Sequence, residues 1–224
     1  MEARKKILIL FGSSPWNDQS PAMDQKYRLC YEYLYEMAEK NGAELCRASI
    51  DWYDRQRKIF TRAWTFKDGQ WTAVSDIKPD LVYDKTRLCA SAEMAKEIIA
   101  KDYRIINDPA FTAIVNNKLC VSLIFPQYLK KNHLVKNSED LVVVSEKLKG
   151  EKIVLKPMSG SGGKDIHIIN EEEAKIFSIN RPYIAQEFID GSSGIEGIVE
   201  GLHDLRLVFV DEELVYSYVR QPKK

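Results

Sequence analysis

Along the first hundred residues, apolar positions switch between unbroken runs and helical spacing. Ile7 to Phe11 is a continuous apolar run closed by Gly12-Ser13-Ser14-Pro15. This predicts a strand buried on both faces and ending in a turn. Met23, Tyr27, Cys30, Leu34, Met37 and Ala38 then recur at helical spacing, and Asn41-Gly42 supplies the stop. Glu44 to Ile50 and Asp80 to Asp84 predict further strands, Ala92 to Lys101 a second helix, and Arg104 to Asn107 a short last strand. Between them, aromatic and β-branched residues of Phe60 to Val74 flank Lys67-Asp68-Gly69-Gln70, a hairpin signal. Residues 1–107 therefore predict an α/β domain with a small parallel sheet flanked by helices.

Asp108-Pro109 starts a helix, with Asp as cap and Pro at the first position, expected to run through Lys118 to about Phe125. A domain boundary is placed here, giving domains 1–107 and 108–224. Beyond it the pattern becomes strand-rich. Ser138 caps a short helix ending at Gly150, and strands are expected at Lys152 to Lys156, Asp165 to Ile169, Tyr183 to Ile189, Leu205 to Val210 and Leu214 to Arg220. A Glu-rich helix follows the second of these strands, and Asp211-Glu212-Glu213 makes the final turn. This half predicts an antiparallel α+β domain whose last strand is left uncovered.

Composition narrows the function classes. Of 224 residues, 33 are Lys or Arg and 33 are Asp or Glu, so no net field draws the molecule to nucleic acid or an anionic membrane. An anion site must be built locally. Cys30, Cys46, Cys89 and Cys120 form no CxxC pair; three sit in apolar periodic stretches, the pattern of buried free thiols, which fits a reducing, cytoplasmic compartment. The apolar run near the N-terminus is too short for a signal segment or a span. His133, His167 and His203 lack metal-ligand spacing and read as structural or solvent-facing, and the aromatics of Tyr27 to Tyr35 read as core.

Lys156-Pro157-Met158-Ser159-Gly160-Ser161-Gly162-Gly163-Lys164-Asp165 is the most informative stretch. A strand ends in lysine, and a loop of glycine and serine leads into another strand. Glycines let several main-chain N–H groups converge on an oxyanion. One lysine charge about 4 Å away adds roughly 4 kcal/mol of attraction per phosphate charge at an effective dielectric near 20. Met158 and Asp165 stand where a Walker A loop needs Gly and Ser or Thr, and Asp165 also breaks the Rossmann and protein-kinase glycine patterns. A hairpin turn without a ligand is the other reading of this loop alone.

Four segments in order change that balance: Asn107-Asp108-Pro109 with Asn117-Lys118-Leu119; Val154-Leu155-Lys156-Pro157 with the glycine loop; Ile184-Ala185-Gln186-Glu187-Phe188-Ile189; and Asp204 to Asp211 through to Val219-Arg220. Over residues 105 to 220 the chain resembles the ATP-grasp family, in particular carboxylate–amine ligases similar to glutathione synthetase and ribosomal-protein glutamate ligases. The resemblance implies a pre-ATP-grasp α/β domain followed by an ATP-grasp domain. It implies Lys118 and Lys156 on the ATP phosphates, and Ser159, Gly160, Ser161, Gly162 and Gly163 as a lid over them. Gln186, Glu187, Phe188 and Ile189 would form the hinge strand, with main-chain groups of Glu187 and Ile189 and the Gln186 side chain on the adenine edge. Arg206 and Arg220 would face the transferred phosphoryl group and the carboxylate, with a planar fork suited to both.

The implied reaction is phosphorylation of a carboxylate by Mg-ATP to an acyl phosphate, which an amine (or a thiol) then attacks. Partners would be small-molecule acid and amine, without nucleic acid or membrane, and a homodimer is allowed. The family's magnesium ligands are late carboxylates and an asparagine downstream of the position matching Arg220. This implies that they lie beyond this chain, truncated at its C-terminus, or that the metal half has been lost. A non-catalytic ATP-binding scaffold and a kinase-like phosphotransferase are the rival readings. Gly12-Ser13-Ser14 and Asp84-Lys85-Thr86-Arg87 are candidate substrate loops that read equally well as ordinary turns.

Overall fold

In the computed structural model, which describes residues 4–23, 25–86, 90–148, 152–160 and 162–222, the first apolar run is strand β1 (Lys5–Phe11). Its neighbours explain why it is apolar on both faces. Leu8 and Leu10 point into one core with Cys46, Ala48, Val82, Phe60 and Ile99, while Ile9 points into a second with Tyr35, Leu45 and Phe66. Helix α1 (Arg28–Lys40) lies on this second side.

β1 pairs in parallel with β2 (Ala43–Ser49), from Lys5↔Ala43 to Phe11↔Ser49. A small antiparallel pair, β3 (Tyr53–Asp54) and β4 (Ile59–Phe60), precedes a hairpin of β5 (Ala63–Lys67) and β6 (Gln70–Val74). Its two-residue turn has Asp68 at φ 51 and Gly69 at φ 75, the twist that suits right-handed strands. β7 (Leu81–Asp84), helix α2 (Ala90–Ala100), β8 (Ile105–Ile106) and helix α3 (Pro109–Asn116) complete this part. The sheet order is β6-β5-β2-β1-β7-β8. The expected parallel sheet is therefore the centre of a mixed six-stranded one, because the hairpin adds to the β2 edge in antiparallel register through Arg47↔Trp64.

Two compact units divide at residue 117: Met1–Asn117 and Lys118–Lys224. The single helix expected from Pro109 to Phe125 is two helices, because Asn117 has extended backbone (φ −90, ψ 110). Asp108 does cap α3, accepting from Phe111 N, and α3 packs on α2 in the first unit.

The second unit opens with helix α4 (Lys118–Ile124) and continues through β9 (Asn132–Val135), helix α5 (Ser138–Leu148), β10 (Ile153–Pro157), β11 (His167–Ile169), helix α6 (Glu171–Ile176) and β12 (Tyr183–Glu187). Asn170 and Glu173 form a reciprocal capping box that starts α6. The sheet order β11-β10-β12-β9 is antiparallel throughout, as the strand-rich pattern predicts. One face packs Ile153, Leu155, Tyr183, Ala185 and Val135 under Leu141, Val144 and Leu148 of α5 and Ala174 of α6. β13 (Asp204–Val210) and β14 (Glu213–Arg220) form a separate two-stranded ribbon.

Boundaries shift where local geometry overrides pattern. α1 starts at Arg28, because Pro21–Met23 forms a short 3-10 turn ahead of it. β11 starts at His167, because Asp165 turns at φ 54, and β12 ends at Glu187, short of Ile189. The expected end of α5 at Gly150 lies outside the described residues. Of the α1 aromatics, Tyr35 is buried at 3% exposure whereas Tyr27 and Tyr33 are exposed. Cys46 is buried, Cys120 half-buried and Cys30 exposed, so the buried-thiol reading holds for Cys46 and fails at Cys30; Cys89 lies outside the described residues. Among the described residues no helix is long and apolar enough to cross a membrane.

Candidate functional site

Directly opposed residues on antiparallel strands share a face. Lys156 is opposite Ile184, Val154 is opposite Gln186 and Ile168, and β9 adds Leu134 and Asn132 on the same rows. The face of this sheet turned away from α5 and α6 is therefore an apolar floor of Val154, Ile168, Ile184 and Leu134 carrying Lys156, Gln186 and Asn132. Alternation builds it: every second residue of β10 (Ile153, Leu155, Pro157) goes to the core, which leaves Val154 and Lys156 on the open side.

Lys118 comes to this edge through the main chain. Its N–H donates to Met158 O at 2.8 Å, so the first residue of α4 is fastened just beyond the end of β10. Its side chain reaches the glycine loop and donates to Gly160 O at 3.0 Å. The Lys156 ammonium donates to Gln186 Oε1 at 2.6 Å. An ammonium only donates, so the amide atom facing it is the oxygen, and the Gln186 NH2 group is left to point elsewhere. Both lysines thus hold neutral acceptors. Burial lowers the Lys118 pKa below the usual lysine value. For Lys156 burial is again the larger cause, with the Lys118 charge adding to it. The Lys118 charge is near enough to disfavour the charged form of Lys156, and two cations that hold only neutral acceptors suit a multiply charged anion.

The loop between them is glycine-dependent. Gly160 has φ 116, and Gly162 and Gly163 have φ 75, backbone that side chains rarely adopt. A Cβ at any of the three would meet nothing within 4 Å, so conformation, not crowding, selects glycine there. Ser159 and Gly160 are exposed, and Ser161 lies outside the described residues. Asp165, at the far end of the loop, is ion-paired with Arg181, whose guanidinium also lies 5.5 Å from the Tyr183 ring centroid.

Not every expected site residue converges on the lysines. The Gln186 side chain, read from the sequence as an adenine contact, has its oxygen taken by Lys156. The Glu187 N–H donates to Lys131 O at 3.1 Å and its carboxylate lies 3.6 Å from Lys130 Nζ. Phe188 N donates to Lys152 O at 3.4 Å, while Ile189 is exposed beyond the strand. Arg206 pairs with Asp204 at 2.8 Å, and Arg220 stands opposite Asp204 on the same ribbon face. Among the described residues no hydrogen bond or ion pair joins these arginines to the lysine pair. His167 packs against Phe177 and Tyr183, a structural role as expected. Lys85 N donates to Leu10 O at 2.8 Å, so the loops after β1 and β7 adjoin; Arg87 lies outside the described residues. The apolar floor is the feature that the sequence reading passes over, although the alternation in Ile153 to Pro157 carries it.

The second unit thus carries an antiparallel α+β sheet with a lysine at the end of one strand, a glycine loop behind it and a second lysine on a preceding helix. Residues 118–218 match the family model described as the ATP-grasp domain. The same fold is seen in the RimK domain protein ATP-grasp from Sphaerobacter thermophilus, with 12% identity over 96% of this chain and 73% of that one, at a TM-score of 0.60. D-cycloserine synthetase DcsG is 15% identical over 94% of this chain and 66% of its own, at a TM-score of 0.59. D-alanyl-alanine synthetase A from Vibrio cholerae is 10% identical over 98% of this chain and 66% of its own, at a TM-score of 0.53. No curated protein matches the chain.

Among the described residues no group of three or more His, Cys, Asp or Glu side chains is placed to hold a metal ion. Among the described residues the donors do not fit a magnesium site, whereas the charge of the lysine pair suits a polyphosphate.

Proposed function

We propose that this protein is an ATP-dependent ligase that activates a small-molecule carboxylate as an acyl phosphate for attack by an amine. The observation that carries the reading is the lysine pair, Lys118 on Gly160 O and Lys156 on Gln186 Oε1, on either side of one glycine loop. In this reading residues 1–117 are the pre-ATP-grasp domain. The apolar floor of Val154, Ile168, Ile184 and Leu134 takes the adenine, and the free main chain at Ile189 lies at its rim. Lys118 and Lys156 exchange their neutral acceptors for phosphate oxygens, and the loop from Ser159 to Gly163 closes over them to keep water from the acyl phosphate. Arg206 and Arg220, on one ribbon face, bind the carboxylate and the transferred phosphoryl group. Catalysis is then positioning and charge neutralisation, with little demand on protein acids or bases.

That proteins with this fold include a D-cycloserine synthetase and a D-alanyl-alanine synthetase supports a ligase acting on small amino compounds. ATP binding measured with and without Mg²⁺, followed by ADP release across a panel of acids and amines, tests the reading. Acid-dependent ADP release supports it. Failure to bind ATP sinks it, and ATP binding without turnover under any pair would make the chain a binding module instead.

A further inference from the structure

Gln186 lies diagonally across from Lys156. It sits two residues beyond Ile184, the residue directly opposed to Lys156, and on the same open face. That diagonal spacing is within reach of long side chains, and here it is closed by a 2.6 Å hydrogen bond. A glutamate has the same length and shape and would make a salt bridge here. The chain uses the neutral amide, although the lysine is half-buried and lies near a second cation. We propose that Gln186 is a positioning residue for the phosphate grip: its amide oxygen fixes the Lys156 ammonium beside the glycine loop without neutralising it, so that both lysine charges remain for a polyphosphate. This rests on the proposed nucleotide site.

The charged surroundings agree. Lys118, from α4, is the ionisable group acting on Lys156. On the neighbouring strands His133, His167 and Glu187 stand opposite Ala185, Leu155 and Ile153, hence on the other face of the sheet, and Glu187 is turned to Lys130. Asp165 at the loop end is engaged by Arg181. A carboxylate at 186 would be a new negative charge inside the site, facing the ammonium where a phosphate oxygen is meant to go.

The test uses the full chain with Gln186→Glu and Gln186→Leu. The Lys156 ammonium is titrated by heteronuclear NMR on lysine-labelled protein without nucleotide, and ATP affinity is measured across pH. Gln186→Glu should move the Lys156 titration upward and weaken ATP roughly tenfold or more, because a charge a few ångströms from phosphate opposes it. Gln186→Leu should move the titration downward, since the hydrogen bond favouring the charged form is lost, and weaken ATP most at alkaline pH. A purely structural role would leave the ATP affinity of the folded variants and its pH dependence unchanged even where the titration moves. Unmoved Lys156 titration in both folded variants, with wild-type ATP binding intact, overturns the inference alone. Absence of wild-type ATP binding overturns the proposed function and with it the phosphate role of Gln186, whereas intact wild-type binding with unchanged ATP affinity in both folded variants overturns the role of Gln186 alone.

Discussion

Lys96 and Asp84 form an ion pair of 3.1 Å with only 2% and 3% of their side chains exposed. Asp84 ends β7, and its second oxygen accepts from Thr86 N at 2.8 Å, while its main-chain oxygen accepts from Asn107 at 2.8 Å. The pair therefore ties α2 to the carboxyl ends of β7 and β8. Removing one partner leaves an uncompensated buried charge. Lys96→Met should cost about 3–5 kcal/mol of stability, whereas the joint replacement Lys96→Met with Asp84→Leu should cost less than either single change. Denaturant unfolding decides this; a joint variant worse than both singles would show the pair to be net stabilising.

If the proposed site holds, Lys118 and Lys156 should make ATP binding pH-dependent. Their pKa values are lowered in the free protein, and phosphate oxygens nearby raise them again. Binding therefore takes up protons, and affinity is full below the free-state values and falls as pH rises through them. Without nucleotide the sign is opposite for folding. The folded state disfavours the charged lysines, so stability rises as pH climbs through the depressed values toward the ordinary 10.5. Calorimetry in buffers of different ionisation enthalpy should show net proton uptake on binding ATP. Lys156→Ala should weaken ATP about a hundredfold or more with the fold intact, in line with loss of a charge-assisted contact to phosphate.

Gly160→Ala isolates backbone conformation from space, since φ 116 is forbidden to alanine while its Cβ would touch nothing. Holding alanine at that φ would cost about 1–3 kcal/mol, so the exposed loop should adopt a different path instead. The Lys118 contact to Gly160 O would go with it, and ATP affinity would drop. Thermal unfolding should change little, because the loop is exposed and outside the core. An equal loss of melting temperature and affinity would count against a loop-only effect.

The ribbon turn stores strain of the same kind. Asp211 and Glu212 have φ 48 and φ 70, both in the left-handed region and neither glycine. Glu212→Gly should stabilise the ribbon by about 0.5–1 kcal/mol, read as slower amide exchange in β13 and β14.

Local signals placed most elements. The Asp68-Gly69 turn, the Asn41-Gly42 stop, the Asp108 cap and the apolar runs of β1 and β10 each act over a few residues, so the sequence carries them directly. It carries the glycine loop and the flanking lysines for the same reason. The break at Asn117 left only a weak trace, the Asn116-Asn117 pair, since asparagine favours helix ends but also occurs inside helices. The Lys96–Asp84 pair left one trace, a lysine at the spacing of buried Ala92 and Ile99, which a solvated helix would also allow.

By itself, then, this chain's order of residues determined its strands, turns and the make-up of its glycine loop, since those depend on neighbours along the chain. Only the tertiary structure decided that Lys118 reaches the loop, that Lys156 is held by a neutral amide and that an apolar floor lies beside them. Those facts depend on which strand pairs with which and in what register, and register joins residues that sequence distance keeps apart.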